Sequence, residues 1–141
     1  MVAEKDGMRR ALIVIGCVAL LADACGKAGN TPLTELRRVK SGEIDVVLLS
    51  SHEAITHPQD SFVIEFRSTG GALVDVGEVK ASSTMPMPGM PMFGSLDVRR
   101  TAVAGRYEVD AKFEMAGTWR TTIQWQGPAG AGSVTTSGNV Q

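Results

Sequence analysis

The residues with the most distinctive chemistry are four thioethers in the run Met85-Pro-Met-Pro-Gly-Met-Pro-Met92. Four of the chain's seven methionines fall in these eight residues, each beside a proline or the central Pro88-Gly89. A thioether is a soft, uncharged ligand that selects Cu(I) over hard cations. It needs no deprotonation, so it holds metal in acidic surroundings where thiolates and imidazoles are lost to protons. Pro88-Gly89 predicts a type II turn, because proline presets φ at the second position and glycine accepts φ > 0 at the third. Such a turn brings the Cα atoms of Met87 and Met90 within about 7 Å. With extended arms, Met87 opposes Met90, Met85 opposes Met92, and all four sulfurs converge on one side. An L-Pro-Gly turn splays its flanking strands, so the expectation is a surface loop with hairpin-like closure, not a continued ladder.

Two blander readings compete with a Cu(I) site at Met85, Met87, Met90 and Met92. Methionines serve as flexible core fillers, and they also form adaptable apolar surfaces for protein partners. Alternation with proline argues against regular strand or helix in this run, and loops lie on the surface. Packing is therefore the weakest of the three. His52 and His57 are candidate auxiliary ligands in a polar loop at 51–61, where a solvated histidine is the commoner outcome. Met115 and Trp119 form a further auxiliary pair. They read as core neighbours in sulfur–aromatic contact, although a Trp face over a thioether-bound cation would make a cation–π arrangement.

Other chemistry is poorly represented. The chain has no G-x-S-x-G, HExxH or P-loop run, and Ser50-Ser51-His52-Glu53 holds triad residue types only as sequence neighbours, which does not produce triad geometry. The expected role is binding, with no enzymatic activity. A net charge of −1 with interspersed signs gives no electrostatic footprint for nucleic acid.

The elements that must position the methionines follow an export signal. Arg9 and Arg10 precede twelve residues of apolar run, Ala11 to Ala22, and then Asp23-Ala24-Cys25-Gly26. That run suits a signal h-region and is too short to span a bilayer. A small residue before the cysteine resembles the lipobox of bacterial lipoproteins, so Cys25 is the expected lipidation site. Cys17 is the alternative, with plain secretion or an uncleaved anchor behind both. These are the only two cysteines, so lipidation of either leaves the mature domain without a disulfide. Outside the cytosol exposed thiols form disulfides, which makes methionine the practical soft ligand there. The expected organisation is a lipoprotein-type signal at 1–25, a polar tether at 26–34 and one domain at 35–141. The expected location is the periplasmic side of the cell envelope, membrane-anchored through the lipid.

Within the domain the hydrophobic pattern has period two. Strands are expected at 35–40 and 43–50 around Ser41-Gly42, at 62–67, at 72–80, near 96–103, and at Val134-Thr-Thr. The clearest alternation lies in 107–115 and 119–125. A three-residue loop, 116–118, would pair these two as a hairpin with Met115 opposite Trp119 and Val109 opposite Trp125. At 141 residues, with 43% apolar composition, the chain holds one domain plus a short appendage. About seven short strands with regular turn signals and no convincing helix predict an all-β, antiparallel β-sandwich.

The order and spacing of Met87-Pro-Gly-Met90, Gly105-Arg-Tyr107 and Phe113-Glu-Met-Ala-Gly-Thr-Trp119 resemble the YtkA-like domain family over about residues 40–126. Its relatives include FixH-like proteins, and its fold is compared with the immunoglobulin-like CopC sandwich. The resemblance implies a small extracytoplasmic immunoglobulin-like sandwich linked to metal handling or to assembly of envelope complexes. Family members commonly place a histidine just after M-P-G-M, where this chain has Pro91-Met92-Phe93-Gly94. Losing that imidazole disfavours Cu(II) and leaves an all-thioether Cu(I) site. The expectation is a copper-buffering or copper-delivering lipoprotein whose partner is a copper-transport or oxidase-assembly protein. The alternative is a metal-free interaction module that supports assembly of a membrane complex.

Overall fold

The computed structural model describes residues 31–141, and the readings of an export signal, of lipidation at Cys25 or Cys17 and of most of the 26–34 tether lie outside them. Thr31–Gln141 is one compact unit. Eight strands follow in order: β1 (Thr34–Ser41), β2 (Ile44–Ser50), β3 (Gln59–Ser68), β4 (Glu78–Met85), β5 (Met92–Arg100), β6 (Arg106–Lys112), β7 (Gly117–Gly127) and β8 (Gly130–Val140). The antiparallel sandwich expected from the alternation is what forms, with eight strands.

The strands lie in the order β1-β2-β3-β6-β5-β4-β7-β8, every pair antiparallel. One sheet runs from β1 to β5, and the other joins β5, β4, β7 and β8. β5 belongs to both. Met92–Gly94 pairs with β4, and Ser95–Arg100 pairs with β6. Gly94 sits at this corner, where an added Cβ would come within 3.1 Å of the Phe113 ring. The free edges β1 and β8 approach each other, and Arg37 Nη2 donates to the Ser137 carbonyl at 3.0 Å across the gap.

The inward positions of both sheets form one core. Phe66 meets Tyr107 and Trp125 edge-on at 5.5 and 5.2 Å, and the Tyr107 hydroxyl donates to the Gly77 carbonyl at 2.7 Å. On the outer face of β3, Glu65 is buried and forked between Arg67 (Nε to Oε2, 2.7 Å) and Arg106 (Nε to Oε1, 2.9 Å). Burial pushes its carboxyl up, but the two guanidinium hydrogen bonds outweigh that and hold it below the ordinary carboxylate range. Gly105-Arg-Tyr107 therefore serves the fold, through the Arg106 ion pair and the Tyr107 hydroxyl.

Four expectations are corrected. β6 and β7 do not form a hairpin: β6 lies between β3 and β5, and β7 lies between β4 and β8. Lys112 pairs with Gln59 on one side and Ser95 on the other, so β6 has no edge left for β7. Alternation reports which face is apolar, not which neighbour a strand takes. Both strands look into the core from opposite sheets, and Phe113 meets Trp119 there at 5.0 Å. The strand expected at 72–80 starts later, at Glu78, and reaches Met85, while β5 starts at Met92 instead of near 96. Two of the four clustered methionines thus lie in strands. The last strand, read as three residues, has eleven.

Candidate functional site

β4 and β5 form a hairpin whose ladder runs Ser83↔Gly94, Thr84↔Phe93 and Met85↔Met92. The expected opposition of Met85 and Met92 is present, and the ladder continues as far as that pair. Residues 86–91 lie beyond it, with Gly89 at φ +81°, the value a type II turn needs at its third position. The prolines explain the stop, because Pro86 and Pro91 have no N–H to extend the ladder.

The hairpin does not present its four thioethers alike. Met85 is buried in the core and Met92 is half-buried against it, whereas Met87 is 44% and Met90 74% exposed. Alternation places Met85 and Met92 on the inward face, so the two sulfurs nearest the core are engaged in packing. The methyl of Met85 occupies space that a side chain at residue 117 would need: an added Cβ on Gly117 would lie 2.8 Å from Met85 Cε. Gly117 has φ +139°, which also favours glycine. Two motifs far apart in sequence, Met87-Pro-Gly-Met90 with its flanks and Phe113–Trp119, therefore meet at Met85 and Gly117.

Residues 113–116 cross from one sheet to the other beside this hairpin. Trp119 is buried and donates its indole N–H to the Met115 carbonyl at 3.1 Å, while the Met115 side chain is 41% exposed. The Met115–Trp119 pairing is thus made by the indole and the backbone, in the absence of the expected ladder.

Both histidines lie at the same end of the sandwich, on the 51–58 loop. His52 is exposed, with Nδ1 3.4 Å from Asp60 Oδ1. Asp60 also accepts from the backbone N–H groups of Thr56 at 2.9 Å and Ser61 at 2.7 Å. His57 Nδ1 lies 3.0 Å from the Gln141 carbonyl. A carbonyl only accepts, so Nδ1 carries a proton and donates; in the neutral ring the lone pair then sits on Nε2. The loop is fastened by the Ile55–Val140 bridge and by the Phe113 N–H donating to the Pro58 carbonyl at 3.0 Å. Pro58 and Phe93 line one open hollow with Phe113 and Glu114, which brings the histidine loop alongside the base of the methionine hairpin. A cavity of about 250 Å³ opens between β1 and β8, floored by Leu48, Phe62, Phe113, Trp119 and Val140.

Among the described residues no three His, Cys, Asp or Glu side chains gather as a metal-binding group. The donors this end offers are thioethers, with an imidazole nearby. Phe93, 68% exposed beside Met92, was not singled out in the sequence, and strand alternation from Leu96 back to Met92 is the signal that would have placed it outward.

The family model described as YtkA-like matches residues 38–124, from within β1 into β7. The chain belongs to the YtkA-like family. The match takes in the methionine hairpin and the 113–119 crossover and leaves β8 beyond it. No curated protein matches the chain. A crystal structure of "as isolated" FetP from uropathogenic E. coli strain F11, recombinantly expressed in the periplasm of E. coli, is similar at 11% identity with a TM-score of 0.48, covering 76% of this chain and 95% of that one. In this YtkA-like domain the M-P-G-M turn is the exposed tip of a hairpin anchored in the core.

Proposed function

We propose that this YtkA-like domain is an extracytoplasmic binding module that captures Cu(I) on its methionine hairpin, for copper buffering or for delivery to a copper-transport or oxidase-assembly partner. The observation that carries the reading is the pair of exposed thioethers, Met87 and Met90, held across a fixed turn. Neutral thioethers favour a soft monovalent ion and bind without releasing protons, so uptake is insensitive to mild acid. Half-buried Met92 is the third donor and Nε2 of the neutral His57 ring an auxiliary one. Met85 supports the site from the core. Anchoring through a lipid at Cys25 keeps the module on the periplasmic side of the envelope. Its role is to hold and hand on an ion, not to catalyse a reaction.

The test is a titration of the full chain with Cu(I) against a competing chelator, beside the Met87→Leu/Met90→Leu variant. Leucine keeps the apolar volume and removes the sulfur, so the variant should lose most of the affinity. Equal affinity in the two proteins sinks the proposal.

A second reading, a metal-free interaction module for assembling a membrane complex, draws on Phe93, an exposed aromatic that carries no ligand atom. Under it, partner capture survives the leucine substitutions and is lost in Phe93→Ser. Capture that needs copper and disappears with the two sulfurs would exclude it.

A further inference from the structure

We propose that the methionine-hairpin end of the domain faces the phospholipid surface and rests its exposed apolar tip in the membrane interface; this rests on the reading that Cys25 is the lipid anchor. The argument begins with where the chain enters the sandwich. Thr34, the first residue of β1, pairs with Ser50, the last of β2, so the tether joins at the end that carries the 51–58 loop. The same end holds the hairpin closure at Met85↔Met92 and the 113–116 crossover, because Gln59, Lys112 and Ser95 lie side by side in three neighbouring strands.

The exposed large apolar side chains are divided by end. Leu33, Met87, Met90, Phe93 and Met115 lie at the tether end, and Leu73 and Val103 at the other. Phe93 lies on the outward face of β5 one residue from its hairpin end, and the other six lie outside the strands. From Ala81 to Leu96 there is no charged residue, so the hairpin can approach an acyl boundary without desolvating an ion. Methionine and phenylalanine suit such a boundary, where apolar side chains settle about 5–10 Å into the headgroup region.

The point of entry then favours one orientation. Eight residues, 26–33, span at most about 26–29 Å. Leu73 bridges Arg67, which lies level with Asp45 and Lys40, six residues or about 20 Å along the strands from Thr34. Turning the far end, with Leu73 and Val103, toward the bilayer would need most of that reach spent along the side of the sandwich. The hairpin end lies where the tether joins and needs none of it.

The experiment uses the full chain extracted from membranes and reconstituted in phosphatidylethanolamine–phosphatidylglycerol vesicles carrying acyl chains brominated near the headgroup. Met90→Trp and Val103→Trp replace exposed side chains at opposite ends. Trp119 and Trp125, both buried, give the same background in each. The expected result is a loss of the emission added by Met90→Trp, with Val103→Trp no more quenched than the parent chain. Equal quenching at both positions, or none at either, overturns the proposal, including the case in which only a membrane protein can occupy the tip. Mass spectrometry on the same sample reads the anchor separately. A lipidated Cys25 without quenching at 90 refutes the orientation and spares the anchor. An intact N-terminus with quenching at 90 refutes the anchor and supports the orientation.

Discussion

Replacing Met85 by alanine separates the structural thioether from the exposed ones. Met85 retains only 7% exposure and packs its methyl against Gly117, whereas Met90 is 74% exposed at the tip. Truncating a buried methionine removes its transfer free energy and leaves a cavity, together about 2–5 kcal/mol. Met85 closes a hairpin whose loop can partly collapse, so a value near 3 kcal/mol is expected. At about 4 °C per kcal/mol for a domain of this size, Tm falls by about 12 °C. The same change at Met90 removes no core contact and should stay within about 0.5 kcal/mol. Urea unfolding of the full-length variants, followed by Trp119 and Trp125 fluorescence, measures both. Equal losses at the two positions would refute the assignment of Met85 to the core. Met85→Leu adds a second readout. It should cost less than about 1.5 kcal/mol and leave Cu(I) affinity unchanged. A drop in affinity matching that of Met90→Leu would show that the Met85 sulfur is a ligand after all.

Two further outcomes are expected. Glu65→Gln leaves Arg67 and Arg106 without their shared carboxylate; both guanidinium side chains are about a third exposed (32% and 38%), so the loss should sit near the lower end for a broken buried pair, about 3 kcal/mol at pH 7. The Glu65 pKa is lowered on folding, so its stabilisation is present above the unfolded value of about 4.3 and is lost as pH falls through the folded one. Acid unfolding curves should therefore be steeper for the parent than for Glu65→Gln below that pH, and identical slopes would contradict the linkage. Gly117→Ala combines a φ that costs about 1–3 kcal/mol for other residues with the Met85 contact. Its cost should shrink in a Met85→Ala background, and strict additivity in the double-mutant cycle would show that the two do not touch.

Period-two alternation was enough to read the sandwich and the inward residues, because a half-buried strand must alternate. It carried β1–β2, β3 and the apolar faces of β6 and β7. It could not carry β6–β7 pairing, since an apolar face satisfied by a hairpin looks the same as one satisfied across a core. The methionine run announced a turn through Pro88-Gly89 and the Met85–Met92 opposition through spacing alone. Burial was not legible there. Whether an inward thioether meets solvent or the Gly117 gap depends on a residue 32 positions away, on a different strand. The ends of the sandwich were equally hidden, because Leu33, Phe93 and Met115 come to the same end only through the topology.

The graded exposure of the four thioethers also sets how the hairpin meets oxidants. Conversion to the sulfoxide follows accessibility, so Met90 and then Met87 react first, Met92 more slowly, and Met85 is shielded by the core. A sulfoxide is polar and presents a hard oxygen, which makes the tip wetter and a poorer host for a soft ion. The change is enzymatically reversible and falls first on Met90 and Met87, the two thioethers outside the core. Damage therefore accumulates where it silences the tip and spares the fold, so a reductase acting on the surface can restore the protein without its unfolding.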